Sequence, residues 1–244
     1  MADFFQNGSV ATLHRLGDRP VDELERDLTK WSDESPMALV IPTLYSELDG
    51  PALSAIVDEI ARIPYLSQVI VGLDAAGPDG FAHAREFFGR LPIPTRIVWN
   101  DGPAMSEIDA ELAAHDLAPE APGKGRNVWY CLGYFLASGR SNVLALHDAD
   151  VLTYSRDIPA RLLYPLVHPG FEYAFSKGYY ARIGDGRLNG RASRLLVTPL
   201  LRALRYTLGS SPYIDYLDSF RYPLAGEMAM RDDVVRAIRI PSDW

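Results

Sequence analysis

The sequence predicts a Rossmann-like α/β domain with a mostly parallel sheet flanked by helices. Short apolar runs alternate with helix-patterned segments over residues 36–150, the pattern of a parallel sheet with right-handed crossovers. The chain has 244 residues, 48% of them hydrophobic and 23% charged, enough to bury a sizeable core. Val143-Leu-Ala-Leu-His-Asp-Ala-Asp150 reads as a buried strand that delivers two carboxylates at its end. Side chains two apart share a strand face, so Asp148 and Asp150 are expected to point together into the crevice where ligands bind.

The elements follow in order. Residues 1–20 are polar and aperiodic, an arm or cap, and Val21 to Trp31 has helical spacing. Residues 1–35 thus form an N-terminal arm and helix. Met37 to Pro42 reads as the first strand and Pro51 to Ile63 as a helix with proline in its first turn. Gln68 to Leu73 is the second strand, Gly80 to Arg90 a helix, and Thr95 to Trp99 the third strand. A short helix over Ser106 to His115 and a loop over Pro119 to Gly125 precede a helix from Arg126 to Ser138. That helix leads into the strand before the two aspartates and closes a Rossmann-like half over 36–150.

Residues 151–244 form a second, looser half. Arg156 to Val167 is helical, Phe171 to Tyr180 strand-like, and Gly184 to Gly190 a turn-rich loop. A helix is expected from Ala192 to about Tyr206, kinked or split at Pro199.

Composition excludes several classes. The net charge of −8 argues against a general nucleic-acid binder. No run approaches the ~18 apolar residues of a membrane span, and the start lacks the basic-then-apolar pattern of a secretory signal. One cysteine, Cys131, permits no internal disulfide and fits a reducing cytoplasm; its apolar helical setting reads as a core thiol. Lys177 to Arg205 runs against the acidic total, with seven basic residues and one acidic. That segment is either a solvated basic face or a site for one anionic ligand.

The paired carboxylates suit a hard divalent cation and, through it, a diphosphate. His147, on the opposite strand face, reads as a packed, hydrogen-bonded histidine. Gly123-Lys124-Gly125 opens a helix: glycines let the backbone approach a ligand, and free helix N–H groups with Lys124 attract anions. Asn189-Gly190-Arg191-Ala192-Ser193 repeats that logic. Two anion cradles imply two phosphorylated or acidic substrates. Pro42, Thr43 and Leu44, with Glu47 beyond, follow the first strand, where nucleosides dock in such sheets, although Glu47 serves equally as a helix cap. Glu227, after a small-residue turn, reads by itself as a helix N-terminal acid.

The ordered set Pro42-Thr-Leu…Glu47, Gly123-Lys-Gly125, Asp148-Ala-Asp150, Lys177-Gly-Tyr-Tyr180, Gly190-Arg191, Thr198-Pro-Leu-Leu201 and Leu224-Ala-Gly-Glu227 resembles the retaining GT-A glycosyltransferases that make glucosyl- or mannosyl-3-phosphoglycerate. The resemblance spans about residues 36–240 and implies the GT-A form of the Rossmann-like fold. It implies that Asp150 binds Mg²⁺ or Mn²⁺ on the donor diphosphate, with Asp148 and Ala149 at the ribose. Gly123 and Lys124 would meet the donor phosphates, and Pro42, Thr43, Leu44 and Glu47 the nucleoside. Gly190, Arg191, Ala192 and Ser193 would hold the acceptor, and Glu227 would orient the transferred sugar.

The implied donor is UDP-glucose or GDP-mannose, the acceptor 3-phosphoglycerate or a similar small acid, and the assembly a homodimer. The family continues to a later histidine that completes the metal site; this sequence stops at Trp244, so the resemblance implies a C-terminally truncated, incomplete metal site. Two rivals use the same residues: a haloacid-dehalogenase-type phosphatase with Asp148 as nucleophile, and a non-catalytic nucleotide-sugar-binding domain.

Overall fold

The computed structural model describes residues 10–119, 121–180, 183–184, 187–188 and 192–241. The chain divides into two compact units: residues 20–176 with 227–244, and residues 1–19 with 177–226. These boundaries differ from those read at 35 and 150. Helix α1 (Val21–Trp31) belongs to the first unit because it packs on α6 (Asp157–Val167), where Arg156 bonds Asp22 at 2.7 Å and Trp31 meets Tyr164 at 5.3 Å between ring centres.

The first unit is a sheet with helices. Strands β1 (Met37–Leu44), β2 (Leu66–Asp74), β3 (Thr95–Trp99) and β4 (Val143–Leu146) are joined through α2 (Leu53–Ile60), α3 (Pro78–Phe88), α4 (Pro103–Ala114) and α5 (Lys124–Ser138). With β5 (Phe175–Lys177) and β8 (Met228–Arg231) the six-stranded order is β3-β2-β1-β4-β8-β5, β5 lying at the edge. The first four strands are parallel, as expected. Strand β8 (Met228–Arg231) runs antiparallel to β4, pairing Met228 with Leu146, so the sheet is mixed. Placing this return strand beside β4 brings residues 227–244 into the sheet unit.

Boundaries moved for local reasons. Helix α2 is shorter than expected because Pro64 disfavours helical backbone at Ile63. Prolines 78 and 103 start α3 and α4 earlier, each in the first turn where its missing N–H costs nothing. Pro42 is tolerated in a central strand for a related reason. Val40 O accepts from His147 N at 3.3 Å, so Pro42, two residues on, turns its missing N–H to the same side, beyond the last β4 pair.

The core lies between sheet and helices. Ala38, Val40, Ile70, Leu144 and Leu146 meet Val128, Cys131 and Phe135 of α5. Gly72 permits that contact: a Cβ there would stand 1.7 Å from Asn127 Oδ1 and 2.6 Å from Cys131 Sγ. Cys131 is fully buried, as the sequence suggested, and burial pushes its thiol pKa far up, so it stays protonated.

In the second unit the expected turn-rich loop contains a small hairpin, β6 (Ile183–Gly184) against β7 (Arg187–Leu188). The helix expected from Ala192 changes its bonding pattern midway. A π-helical turn over Ser193–Val197 gives way to α7 (Thr198–Leu208), with Pro199 in its first turn. Helix α8 (Pro212–Asp218) is capped by Ser211, which accepts from Ile214 N at 3.2 Å. Arg205 bonds Asp215 and lies 3.6 Å from Asp218, so part of the basic run is neutralised within its own unit. Among the described residues no helix is long and apolar enough to cross a membrane.

Candidate functional site

The strand order reverses direction around β1: β2 and β3 lie to one side, β4 to the other. In a parallel sheet the crevice at such a switch point opens beyond the carboxyl ends of the two diverging strands. Those ends are Thr43-Leu44 on β1 and His147-Asp148 after β4. Thr43 is buried, its hydroxyl donating to Ile41 O at 3.2 Å, while the side chain of Leu44 is exposed. Glu47 lies half-buried in a 3₁₀ turn over Tyr45–Asp49. Helix α2 begins after Ala52 with no side-chain cap, so Glu47 is not its cap.

The expectation that Asp148 and Asp150 share a strand face is corrected. β4 ends at Leu146, and both aspartates sit in the loop that follows. Parallel pairing to β1 stops at Val40–Leu146, which leaves the next residues free to turn. The loop still separates them usefully. Asp148 is partly buried and ion-paired to Lys124, Ala149 is buried, and Asp150 is exposed with no hydrogen bond or ion pair among the described residues.

Lys124 is the first residue of α5, two positions earlier than the helix start read from the sequence. Gly123, in extended backbone, stands at the cap position without a side-chain cap bond. The first α5 amides therefore face outward beside the Lys124 ammonium, an arrangement suited to an anion. Arg126 is committed elsewhere, donating to Asn100 O at 3.1 Å and lying 3.4 Å from Asp109.

A second polar cluster at the ends of β2 and β3 was missed by sequence reasoning. Asp74 accepts from Asn100 Nδ2 at 2.8 Å and from Asn127 Nδ2 at 2.9 Å, and Asn127 also donates to Gly72 O at 3.1 Å. Trp99 Nε1 donates to Ala76 O at 2.7 Å, and Asp101 accepts from Ala76 N at 3.1 Å. These bonds tie two strand ends and α5 into one rim. The signal was present in Leu73-Asp74 and Trp99-Asn100, a polar residue ending each apolar strand.

Glu227 is not a helix N-terminal acid: it immediately precedes β8. It is buried, and its Oε2 has no hydrogen-bond partner, which is costly unless something polar meets it. The register that pairs Leu146 with Met228 brings His147 and Glu227 to facing positions one step beyond. His147 is fully buried and bonded to the Tyr154 hydroxyl at 3.1 Å; burial drops its pKa to about 3, so its ring is neutral. That is the packed, hydrogen-bonded histidine the sequence suggested.

In the second unit, Gly190 and Arg191 lie outside the described residues. Ala192 is exposed, and Ser193 is buried with an unpartnered hydroxyl. Lys177 Nζ donates to Ala225 O at 2.6 Å, anchoring the turn that leads toward Glu227.

No family model matches the chain. All 244 residues align at 44% identity with a glucosyl-3-phosphoglycerate synthase from Persephonella marina, covering 60% of that protein. A second synthase of that name, from Methanococcoides burtonii, is 39% identical over 99% of the chain and 59% of its own length. Over its whole length the chain is thus similar to two glucosyl-3-phosphoglycerate synthases. It spans about 60% of the length of these curated relatives. The glucosyl-3-phosphoglycerate synthase of Mycobacterium tuberculosis, crystallised with Mn²⁺ and UDP-glucose, superposes with a TM-score of 0.60 at 20% identity, over 88% of this chain and 63% of that one. The fold is thus the GT-A-like α/β fold expected from the motifs.

Proposed function

We propose that this chain acts as a glucosyl-3-phosphoglycerate synthase, moving a glucosyl group from UDP-glucose to the 2-hydroxyl of 3-phosphoglycerate with retention. One observation carries the reading: at the β1/β4 switch point, Lys124 of the uncapped α5 terminus holds Asp148 while Asp150 is left exposed. A hard divalent ion arriving with a diphosphate needs only one or two protein carboxylates, since phosphate oxygens and water supply the rest. Among the described residues no group of three or more His, Cys, Asp or Glu side chains forms a closed cage. An open site built on Asp150 fits an ion that is shared with the donor.

The roles are those that the resemblance implies. Pro42, Thr43, Leu44 and Glu47 hold the nucleoside, and Asp148 with Ala149 the ribose. Gly123 and Lys124 meet the diphosphate; a cation and outward amides placed there stabilise charge as the glycosidic bond to phosphate breaks. A Mg²⁺ or Mn²⁺ ion on Asp150 supplies further Lewis-acid neutralisation of the leaving group. Glu227, carrying an unpaired buried oxygen, orients the sugar hydroxyls. In the other unit, Gly190, Arg191, Ala192 and Ser193 take the acceptor anion, for which Arg and hydroxyl donors are suited. The relatives' names support the glucosyl reading over a phosphatase.

A thermal-shift panel of UDP, UDP-glucose, GDP-mannose and 3-phosphoglycerate, each with and without Mn²⁺, tests it. Binding only to the folded state raises the melting temperature by mass action. UDP and UDP-glucose with Mn²⁺ are expected to stabilise the chain most. Stabilisation by GDP-mannose alone would transfer the reading to a mannosyl donor, and no response to any nucleotide would remove it.

A further inference from the structure

The aspartate loop is closed at its base by two buried side chains that the proposed reaction does not use. His147 ends the run from β4 and Tyr154 lies seven residues later; the loop between them carries Asp148 and Asp150. Their side chains bond at 3.1 Å between Nε2 and the phenol oxygen, with ring centres 4.8 Å apart. Further bonds fix both ends: His147 N donates to Val40 O at 3.3 Å on β1, and Tyr154 N to Val151 O at 3.2 Å. Just beyond, Arg156 pins the start of α6 through Glu59 at 3.2 Å and Asp22 at 2.7 Å. Between the clasped ends the loop tip is open, with Asp150, Leu152 and Thr153 exposed.

Packing alone does not require a polar pair here. Two apolar rings would fill the same buried space without the desolvation cost of an imidazole and a phenol. What the hydrogen bond adds is direction: it sets the separation of the two loop ends to within a few tenths of an ångström. Ligands of a metal–diphosphate site have to be held that closely to be effective.

We propose that the His147–Tyr154 hydrogen bond is a clasp that fixes the Asp148–Asp150 loop for binding a divalent ion with a nucleoside diphosphate, making both residues positioning residues of that site. The proposal rests on the donor-site reading above. A loop that samples other conformations binds more weakly by the fraction of time it is misplaced.

The test uses the whole chain, with Mn²⁺ and UDP as probes. Mn²⁺ affinity in the presence of UDP is measured by electron paramagnetic resonance of the free ion, together with amide hydrogen exchange over residues 148–153. Tyr154→Phe, which keeps the ring and removes the hydroxyl, and His147→Phe are each expected to weaken Mn²⁺ binding about three- to tenfold, the worth of one hydrogen bond. The double variant is expected to lose no more than either single one, and His147→Gln, which retains a polar atom of similar reach, to recover part of the loss.

Loop amides are expected to exchange faster in Tyr154→Phe while those of β1 and β2 are unchanged. A purely structural role predicts a lower melting temperature with unaltered Mn²⁺ affinity and unaltered loop exchange; that result overturns the clasp. Failure of the unmodified chain to bind Mn²⁺ with UDP would instead overturn the donor-site reading, and the loop exchange rates, which need no metal, still decide the clasp.

Discussion

Gly72→Ala is the sharpest test of how the helix layer meets the sheet. The added methyl would sit 1.7 Å from Asn127 Oδ1, 2.7 Å from Asn127 Cγ and 2.6 Å from Cys131 Sγ. Ordinary carbon–oxygen contact is nearly twice the first distance, so Asn127 has to leave its position. It is not a side chain free to swing: Asn127 is buried, and its amide nitrogen bonds both Gly72 O and Asp74. Moving it breaks two hydrogen bonds at about 1 kcal/mol each and forces overpacking worth about 1–3 kcal/mol. The loss of glycine's freedom in the unfolded chain returns about 0.4–1 kcal/mol.

The expected net cost is therefore about 2–4 kcal/mol, a large share of a typical stability of about 5–15 kcal/mol. Urea denaturation followed by circular dichroism reads it as a lower midpoint at unchanged slope. A second variant separates the clash from a general effect. Asn127→Ala vacates the space, so the double variant is expected to fall well short of the sum of the single costs. A Gly72→Ala chain within about 0.5 kcal/mol of the parent, the range typical of innocuous surface changes, would refute the close approach of α5 to β2.

Other expectations follow from the site and its surroundings. Asp150→Asn is expected to abolish the Mn²⁺-dependent part of the UDP thermal shift while leaving the metal-free part; an unchanged Mn²⁺ response would remove Asp150 from metal binding. In an assay of the proposed glucosyl transfer the same change is expected to lower turnover by orders of magnitude. Arg191→Ala there is expected chiefly to raise the acceptor KM, and a change confined to the donor KM would contradict the acceptor role. Glu25 provides a pH test.

Burial, only partly offset by Arg156, lifts the Glu25 pKa above the ordinary value of 4.5. A raised folded-state pKa means stability is lost as pH rises through the window just above 4.5. Glu25→Gln removes that penalty, so its stability relative to the parent is expected to improve between mildly acidic and neutral pH. A pH-independent difference in urea melts would show that Glu25 titrates normally.

What the sequence made legible was whatever depends on local pattern. The four parallel strands and their helices were readable because apolar runs and helical spacing persist over whole elements, and because β1, β2 and β4 are buried on both faces. Cys131 and His147 were readable as interior residues because each sits inside or at the end of such a run. The antiparallel return of β8 was not. Its four residues, Met-Ala-Met-Arg, have no alternation long enough to announce a strand, and what makes them one is a partner more than eighty residues earlier.

The same distinction governs the site. Asp148 and Asp150 were found as a spacing, yet their shared strand face was wrong because β4 stops with the apolar run at Leu146, four residues before Asp150. Pairing of β4 to β1 ends at Val40, although β1 itself runs on to Leu44 beside β2. The rim made by Asp74, Asn100 and Asn127 escaped for the opposite reason. Each residue looks like an ordinary turn or helix polar group by itself. Only the glycine at 72, which lets α5 approach, turns three scattered polar side chains into one hydrogen-bonded network at the strand ends. Much of the carboxyl edge of this sheet is therefore organised by polar groups that bond one another, and the exposed Asp150 and the unpaired Glu227 oxygen are the acidic groups that the proposed site leaves for a ligand.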